Sequence, residues 1–291
     1  MTLFHTPQKP DCGAIIPLVT PITAEGKLDE PALRRLIDHV ISGGVQGIFV
    51  LSSTGEGPSV PRPMRPRIVQ IAVEHAASRV RVYAGLADTV VQDSLTAAAE
   101  YLRFGVRAVV VQLPLYYTLT PDEQFTYLST IIRRITGPVL LYDIPEAVHV
   151  GIEPRVVEHL RAFDSVVGIK DSSGDPERLS ALLESYADDP VFSVLTGSVA
   201  LASFGFERGA DGFVPSTGNL EPELCARLFA AAKTGDRALM EELQRALNAL
   251  TDQFRGPRSL GQGITQLKAM MSKRGLCSPK VFLPLVEEGA G

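Results

Sequence analysis

The sequence contains no tryptophan, only three cysteines, and seven lysines against 21 arginines. The cysteines, Cys12, Cys225 and Cys277, are far apart and odd in number, which excludes a cysteine-rich metal framework and is typical of a reducing compartment. No basic run occurs and the net charge is −5, so the electrostatic basis for binding nucleic acid or an anionic membrane surface is missing. We therefore expect a small-molecule partner.

Long hydrophobic runs are also missing. The apolar stretches are far shorter than the roughly 20 residues that a membrane-spanning helix needs. Residues 1–12 contain no apolar core of a signal peptide, and we expect them to form a loose N-terminal extension of a cytoplasmic protein. No dinucleotide-binding motif occurs and the histidines show no ligand spacing, so we expect no cofactor and no metal. The histidines are His5, His39, His75, His149 and His159.

Short apolar runs, eight in number, alternate with helical periodicity between residues 13 and 215. Residues 44–50, 105–111 and 209–215 share one pattern, in which a glycine ends a helix and a strand follows, and this repetition indicates βα units. Eight such units predict a (β/α)8 TIM barrel, whose active site lies at the C-terminal ends of the strands. The later part of the chain has only helical periodicity. We predict an α/β fold with the barrel in residues 1–233 and a C-terminal extension, a helical subdomain, in residues 234–291.

Lys170 follows an apolar run, residues 165–169, at the point where a buried strand should give way to a loop. A lysine in apolar surroundings loses solvation of its charged form, which favours a neutral amine that can attack a carbonyl. Arginine, the more frequent cation in this chain, cannot form a Schiff base. From this stretch alone, an equally good alternative is that Lys170 caps the strand and pairs with Asp171 or Asp175.

Other polar or flexible residues are expected at the same end of the barrel. Taken singly, each has an ordinary explanation as a turn or a rim residue. Together, hydroxyls, phenols and glycines around one lysine favour a common site. They are Ser53, Thr54 and Gly55 after strand two, Tyr116 and Tyr117 after strand four, Tyr142 after strand five, and Gly197 after strand seven.

These segments resemble the dihydrodipicolinate synthase and N-acetylneuraminate lyase superfamily of Schiff-base pyruvate lyases. The resemblance covers most of the chain and implies a homotetrameric (β/α)8 enzyme in which Lys170 forms an imine with pyruvate or another 2-oxo acid. The motifs that carry it are Ile16-Pro-Leu-Val-Thr-Pro21, Ser53-Thr-Gly-Glu56, Tyr142-Asp-Ile-Pro145, Gly168-Ile-Lys-Asp171, Gly212-Phe-Val-Pro-Ser-Thr-Gly-Asn219 and Gln266-Leu-Lys268.

The resemblance also implies roles around the 2-oxo acid. Tyr142 would shuttle protons, and Tyr117, in the family typically from a neighbouring subunit, would complete the relay. The residues implied in substrate binding are Ser53, Thr54 and Gly55, which would hold the carboxylate through hydroxyl and backbone N–H groups, together with Gly197 and the carbonyl of Val214.

One departure from the family pattern concerns the second substrate. Dihydrodipicolinate synthases usually continue a Tyr-Asn-Val-Pro segment with Ser-Arg-Thr-Gly, in which the arginine grips the carboxylate of the aldehyde substrate. Here the same positions read Glu146-Ala147-Val148-His149, so that arginine is missing. One hypothesis is that Glu146 or His149 contacts a hydroxyl of a polyhydroxy acid, and the alternative is that both are solvated loop residues.

Two further segments favour an aldolase. Ser198 stands where polar or acidic residues often contact the second substrate. Residues 168–175 look closer to members that cleave 4-hydroxy-2-oxoglutarate or 2-keto-3-deoxy sugar acids. We therefore expect an aldolase of that kind, with dihydrodipicolinate synthase as the alternative.

Two minor alternatives lie outside this chemistry. A phosphate-binding barrel could use Gly197 with Ser198, and Gly218 with Asn219, at the ends of the last two strands. That interpretation leaves Lys170 without a role. A barrel that only senses a 2-oxo acid would need a broken proton relay, whereas every residue of the relay is present.

Overall fold

Eight parallel strands form a closed barrel at the centre of the structure, a computed structural model that describes residue 9 and residues 11–287. Each strand pairs with the next in chain order, and the eighth pairs with the first. The TIM barrel predicted from the sequence is thereby confirmed. The strands are β1 (Gly13–Pro17), β2 (Gly47–Val50), β3 (Arg81–Leu86), β4 (Ala108–Gln112), β5 (Val139–Asp143), β6 (Val166–Asp171), β7 (Ser193–Thr196) and β8 (Gly212–Phe213).

Helices surround the barrel and follow the strands in sequence. Several begin where a side chain accepts hydrogen bonds from the free N–H groups of the first turn, as Asp29, Thr120 and Asp175 do. The helices of the described ranges are α1 (Glu30–Ser42), α2 (Arg65–Ala76), α3 (Val91–Phe104), α4 (Pro121–Ile132), α5 (Pro145–Val148), α6 (Pro154–Arg161), α7 (Pro176–Ser185), α8 (Ala202–Glu207), α9 (Pro222–Thr234), α10 (Arg237–Phe254) and α11 (Leu260–Lys273).

Glycines end the helices of the three repeated segments. Gly44, Gly105 and Gly209 follow α1, α3 and α8 with φ angles of +81°, +100° and +93°. This left-handed backbone is open to glycine at little cost because glycine has no Cβ. Each glycine therefore stops a helix and turns the chain into β2, β4 or β8, as the repeated pattern predicts.

The N-terminal range 1–12, predicted to be loose, lies mostly outside the described residues. The described part of it is packed against the barrel. Lys9 is buried and forms an ion pair of 3.2 Å with Asp211, which stands just before β8. Asp11 is fully buried and accepts from Arg107 Nη2 at 2.7 Å, just before β4. These contacts close the N-terminal end of the barrel.

The last helices reach the opposite end of the barrel. Helix α9 contacts both β1 and α10, and Gln244 of α10 donates to the Val199 carbonyl after β7 at 2.7 Å. Lys268 of α11 donates to the Thr20 carbonyl after β1 at 3.0 Å. The C-terminal extension thus lies over the C-terminal ends of the strands. The predicted boundary at residue 233 stays a prediction.

In the described ranges, every helix is too short or too polar to cross a membrane.

Candidate active site

Lys170 lies near the C-terminal end of β6, with 5% of its surface exposed. Its Nζ lies 3.8 Å from the ring centre of Tyr142 and 5.6 Å from that of Phe49. The strand register places Tyr142 directly beside Lys170, and alternate side chains of a strand point to opposite faces. Lys170 and Tyr142 therefore share the inner face, while Asp143 and Asp171 point outward.

Lys170 differs from the other buried lysines of the described ranges, Lys9 and Lys268. Lys9 pairs with Asp211, and Lys268 pairs with Glu56 at 2.8 Å. No carboxylate of the described ranges forms an ion pair with Lys170, whose close neighbours are aromatic rings. A buried amine that no carboxylate engages is available to attack a carbonyl carbon.

The alternative in which Lys170 pairs with Asp171 or Asp175 is wrong for this structure. Asp171 accepts from the Ser173 N–H at 3.1 Å and lies 3.6 Å from Arg178 Nε. Asp175 caps α7 and accepts from the Arg178 N–H at 3.3 Å. Both carboxylates therefore bind groups on the outer side of the barrel and not Lys170.

The loop after β2 brings a hydroxyl to the Tyr142 phenol. Ser53 Oγ and Tyr142 Oη lie 3.3 Å apart, within hydrogen-bond distance. The Tyr142 ring also packs edge-on against Phe49, with ring centres 6.3 Å apart. The Tyr142 ring therefore lies against the Lys170 amine, and its hydroxyl lies within hydrogen-bond distance of Ser53.

The turn that contains Ser53, Thr54 and Gly55 is braced from within the protein. The Gly55 N–H donates to Ser52 Oγ at 3.1 Å, and the Gly55 carbonyl accepts from Thr20 Oγ1 at 2.6 Å. Among the described residues, no acceptor meets the N–H groups of Ser53 and Thr54. Two adjacent backbone donors can bind a carboxylate. The Gly55 N–H, also predicted to bind substrate, is already engaged by Ser52.

Gly197 makes room for the Lys170 side chain. A Cβ at this position would lie 1.9 Å from Ser172 Oγ and 3.0 Å from Lys170 Cε. The Gly197 N–H also donates to the Asp171 carbonyl at 2.6 Å. Any larger residue would therefore displace the lysine or the loop after β6.

Val214 and Ser198 lie at the ends of the next two strands. Val214 is buried after β8, and its N–H donates to the Thr196 carbonyl at 2.8 Å. Ser198 is half-buried after β7, and its N–H donates to Thr196 Oγ1 at 3.2 Å. Their contacts with a substrate stay a prediction.

The loop after β5 contains the residues predicted to face the second substrate. Glu146 is exposed and forms an ion pair of 2.5 Å with Arg255, which follows α10. Ala147 is half-buried, and the exposed His149 ends α5 with a left-handed backbone, at φ +68°. Arg255 was not among the residues predicted from the sequence. No local signal could reveal it, because it lies 109 residues from Glu146.

Tyr117 lies apart from the other candidate catalytic residues of the same chain. Tyr116 and Tyr117 are 80% and 69% exposed, and their rings pack edge to face with centres 5.0 Å apart. Among the contacts of the described ranges, neither tyrosine meets Lys170 or Tyr142. The participation of Tyr117 from a neighbouring subunit stays a prediction.

Asn219 has a structural task that removes it from ligand binding. Its buried side chain accepts from the Val19 N–H at 3.1 Å and donates to the carbonyls of Pro17 and Ser216, both at 2.9 Å. The amide therefore joins the loop after β8 to the end of β1. The phosphate-binding interpretation loses this donor.

The described ranges also contain no group of three side chains that could hold a metal ion.

Asp143 is a fully buried carboxylate directly behind the site. It accepts from the Ile152 N–H at 2.9 Å and lies 2.7 Å from Arg178 Nη2. Burial raises the pKa of Asp143 to about 6, although Arg178 and the Ile152 N–H act in the opposite direction. Burial also raises the pKa of Asp171. The raised pKa values of Asp143 and Asp171 predict that the stability of the β5–β6 rim depends on pH.

Replacement of Asp143 by Asn is expected to flatten part of the pH dependence of stability. The folded state holds this proton more tightly, so the stabilising contribution is complete below about pH 4 and is lost as the pH rises through 6. A shift from 3.8 to about 6 corresponds to on the order of 3 kcal/mol. Urea denaturation between pH 4 and 7 measures it, with Asp164→Asn, an exposed site, as the control. Parallel curves for wild type and Asp143→Asn would contradict the assignment.

The chain is similar to known proteins over most of its length. A family model described as the dihydrodipicolinate synthetase family matches residues 11–289. A 4-hydroxy-tetrahydrodipicolinate synthase of Hyphomonas neptunium is 32% identical over 279 residues, which are 96% of this chain and 93% of that protein. The solved dihydrodipicolinate synthase of Bacteroides thetaiotaomicron superposes with a TM-score of 0.89 at 30% identity, covering 96% of this chain and 94% of that one. YagE, a prophage protein of the dihydrodipicolinic acid synthase family from E. coli K12 solved in complex with pyruvate, gives a TM-score of 0.89 at 26% identity, covering 97% and 94%.

Proposed function

Because the chain belongs to the dihydrodipicolinate synthetase family and is an enzyme of the class I aldolase type, we propose that it breaks or forms a carbon–carbon bond of a 2-oxo acid through an imine on Lys170. The observation that supports the proposal is the burial of this lysine without a carboxylate partner among the described residues. Within the described ranges it is the buried lysine without a carboxylate partner, and its Nζ lies 3.8 Å from the ring centre of Tyr142.

The chemistry follows from these groups. The Lys170 amine adds to the keto carbon, and loss of water gives a protonated imine that withdraws electrons from the neighbouring bond. Cleavage between C3 and C4 then releases an aldehyde and leaves an enamine. The enamine takes a proton at C3, and water hydrolyses the imine to pyruvate and the free amine. Tyr142, held by Ser53, moves the protons, and the N–H groups of Ser53 and Thr54 hold the carboxylate.

For the second half of the substrate, we propose a polyhydroxy chain, as in a 2-keto-3-deoxy sugar acid. Ala147 offers no charge, and beside it the Glu146–Arg255 ion pair presents an acceptor next to a donor, a combination that suits hydroxyl groups. A substrate with a distal carboxylate must compete with Glu146 for the guanidinium. Dihydrodipicolinate synthase activity is the alternative, since the relatives described above bear that name.

We propose a cytoplasmic homotetramer as the working state of the enzyme. The exposed pair Tyr116 and Tyr117 supports this, because a neighbouring copy could cover both rings and receive the Tyr117 hydroxyl in its own site.

A panel of 2-oxo acids assayed for pyruvate release tests the substrate proposal. Cleavage of a 2-keto-3-deoxy sugar acid is expected to be fastest, followed by 4-hydroxy-2-oxoglutarate. Condensation of pyruvate with aspartate semialdehyde is expected to be much slower, because Ala147 has no charged group to bind the carboxylate of the aldehyde. Synthase kinetics equal to or better than cleavage would reverse the ranking.

A Glu146→Gln variant sharpens this comparison, because it leaves Arg255 uncompensated. We expect kcat/KM for 4-hydroxy-2-oxoglutarate to rise roughly tenfold relative to the sugar acid, as one charge-assisted hydrogen bond would give. Glu221→Gln is the matched control, since Glu221 pairs with Arg274 at 2.7 Å elsewhere. The same change in both variants, or in neither, would contradict the role of Glu146 and Arg255.

A further inference from the structure

A fully buried ion pair lies directly behind the turn proposed to bind the carboxylate. Glu56 follows Gly55 in the chain, and its Oε1 accepts from Lys268 Nζ at 2.8 Å. Neither side chain has any exposed surface. The second carboxylate oxygen accepts from the Phe282 N–H at 2.6 Å. Both oxygens of Glu56 are therefore held by the C-terminal extension.

The contacts of Lys268 reach the same turn by a second route. Its Nζ donates to the Thr20 carbonyl at 3.0 Å, and the Thr20 hydroxyl donates to the Gly55 carbonyl at 2.6 Å. Glu56 also contacts Ser53 directly, because the Glu56 N–H donates to the Ser53 carbonyl at 3.0 Å. One lysine of α11 thus fixes the turn from the β1 side and from the β2 side.

Glu56 has a backbone conformation that needs such support. Its φ angle is +56°, in the left-handed region that a residue with a Cβ adopts only at a free-energy cost. A buried charge is tolerated when it is paired and hydrogen-bonded, and Glu56 meets both conditions through Lys268 and Phe282. The ion pair therefore holds the turn in a conformation that its own backbone does not favour.

We infer that Glu56 and Lys268 are positioning residues that aim the Ser53 and Thr54 N–H groups at the substrate carboxylate, so that α11 sets the affinity for the 2-oxo acid. This inference rests on the proposed function. It gives the C-terminal extension a role in substrate binding, although neither Glu56 nor Lys268 contacts the reacting atoms.

A matched pair of double variants tests the inference. Glu56→Gln with Lys268→Met removes both charges and changes the side-chain volumes little. Lys9→Met with Asp211→Asn removes the other buried lysine–carboxylate pair, at the N-terminal end of the barrel. The readout is the pyruvate concentration that gives half-maximal borohydride trapping on Lys170.

We expect this concentration to rise roughly tenfold in the Glu56/Lys268 variant, the effect of misaligning one charge-assisted hydrogen bond, while saturating pyruvate still labels each chain. The Lys9/Asp211 variant should lose thermal stability and keep the wild-type concentration. A merely structural role for both pairs predicts lower stability in both variants and no change in either concentration.

Thr20→Val provides a milder version of the test, should the double variant fail to fold. It keeps the branched shape and removes only the hydroxyl that donates to Gly55. A folded Thr20→Val or Glu56/Lys268 variant with wild-type half-saturation would overturn the inference alone. Absence of labelling in the wild type would overturn the proposed function, and with it the role assigned to the turn.

Discussion

Borohydride reduction in the presence of pyruvate is expected to add one three-carbon adduct per chain, on the peptide that contains Lys170. Imine formation needs a neutral amine in contact with the keto carbon, and Lys170 is buried against the rings of Tyr142 and Phe49 without a counter-ion in the described ranges. Reduction converts the imine to a stable secondary amine, and mass spectrometry of the digested protein locates it.

The other lysines are internal controls for this experiment. Lys233 is exposed at the end of α9, outside the barrel and away from Tyr142 and Ser53. Lys9 and Lys268 are buried but paired with carboxylates. A label on Lys233, or none on an active enzyme, would require the Schiff-base mechanism and the proposed function to be abandoned.

Substitution of Lys170 is expected to lower turnover by on the order of 10³ or more, because no covalent intermediate can form. Lys170→Arg keeps a positive charge but cannot form the adduct. Lys170→Met is the better match in size, since the side chain passes close to Gly197. Both variants should fold and be inert. Turnover near the wild-type value in either one would remove Lys170 from the mechanism.

Tyr142→Phe is expected to lower kcat by on the order of 10² or more, the range for a general acid–base group. The ring packs against Phe49 and Lys170, so the variant should fold, and only the hydroxyl that meets Ser53 is lost. Steady-state kinetics and the rate of imine formation measure the effect.

Tyr83→Phe is the matched control for this substitution. Tyr83 is also buried, and its hydroxyl donates to Asp11 at 2.7 Å at the other end of the barrel. We expect this variant to lose stability and to keep its turnover. Wild-type turnover in Tyr142→Phe would exclude Tyr142 from proton transfer.

The barrel could be predicted from the sequence because its signals are local. Apolar runs, helical periodicity and the helix-ending glycines Gly44, Gly105 and Gly209 all act within one βα unit. The rim position of Lys170 and Tyr142 was predictable for the same reason, since parallel strands of a barrel end at one face.

The partners of these residues could not be predicted, because they depend on how distant elements pack. Glu146 and Arg255 are 109 residues apart, and Glu56 and Lys268 are 212 apart. Each contact exists only because the C-terminal extension lies over the barrel. The same limit applies to Phe49, whose ring meets Lys170 across the interior and whose strand looks like any buried strand.

The side chain of Asn219 has a consequence for the order of folding. A closed sheet has one seam between its first and last strands, and here β8 contributes only Gly212 and Phe213 to it. The Asn219 amide adds a bond to Pro17, 202 residues away. Bringing together ends so distant in the chain carries a large loop-closure entropy, and contacts of this kind form late. We therefore expect the seam to be the last part of the barrel to assemble, with the β1–β8 pairing and the Asn219 amide together keeping it closed.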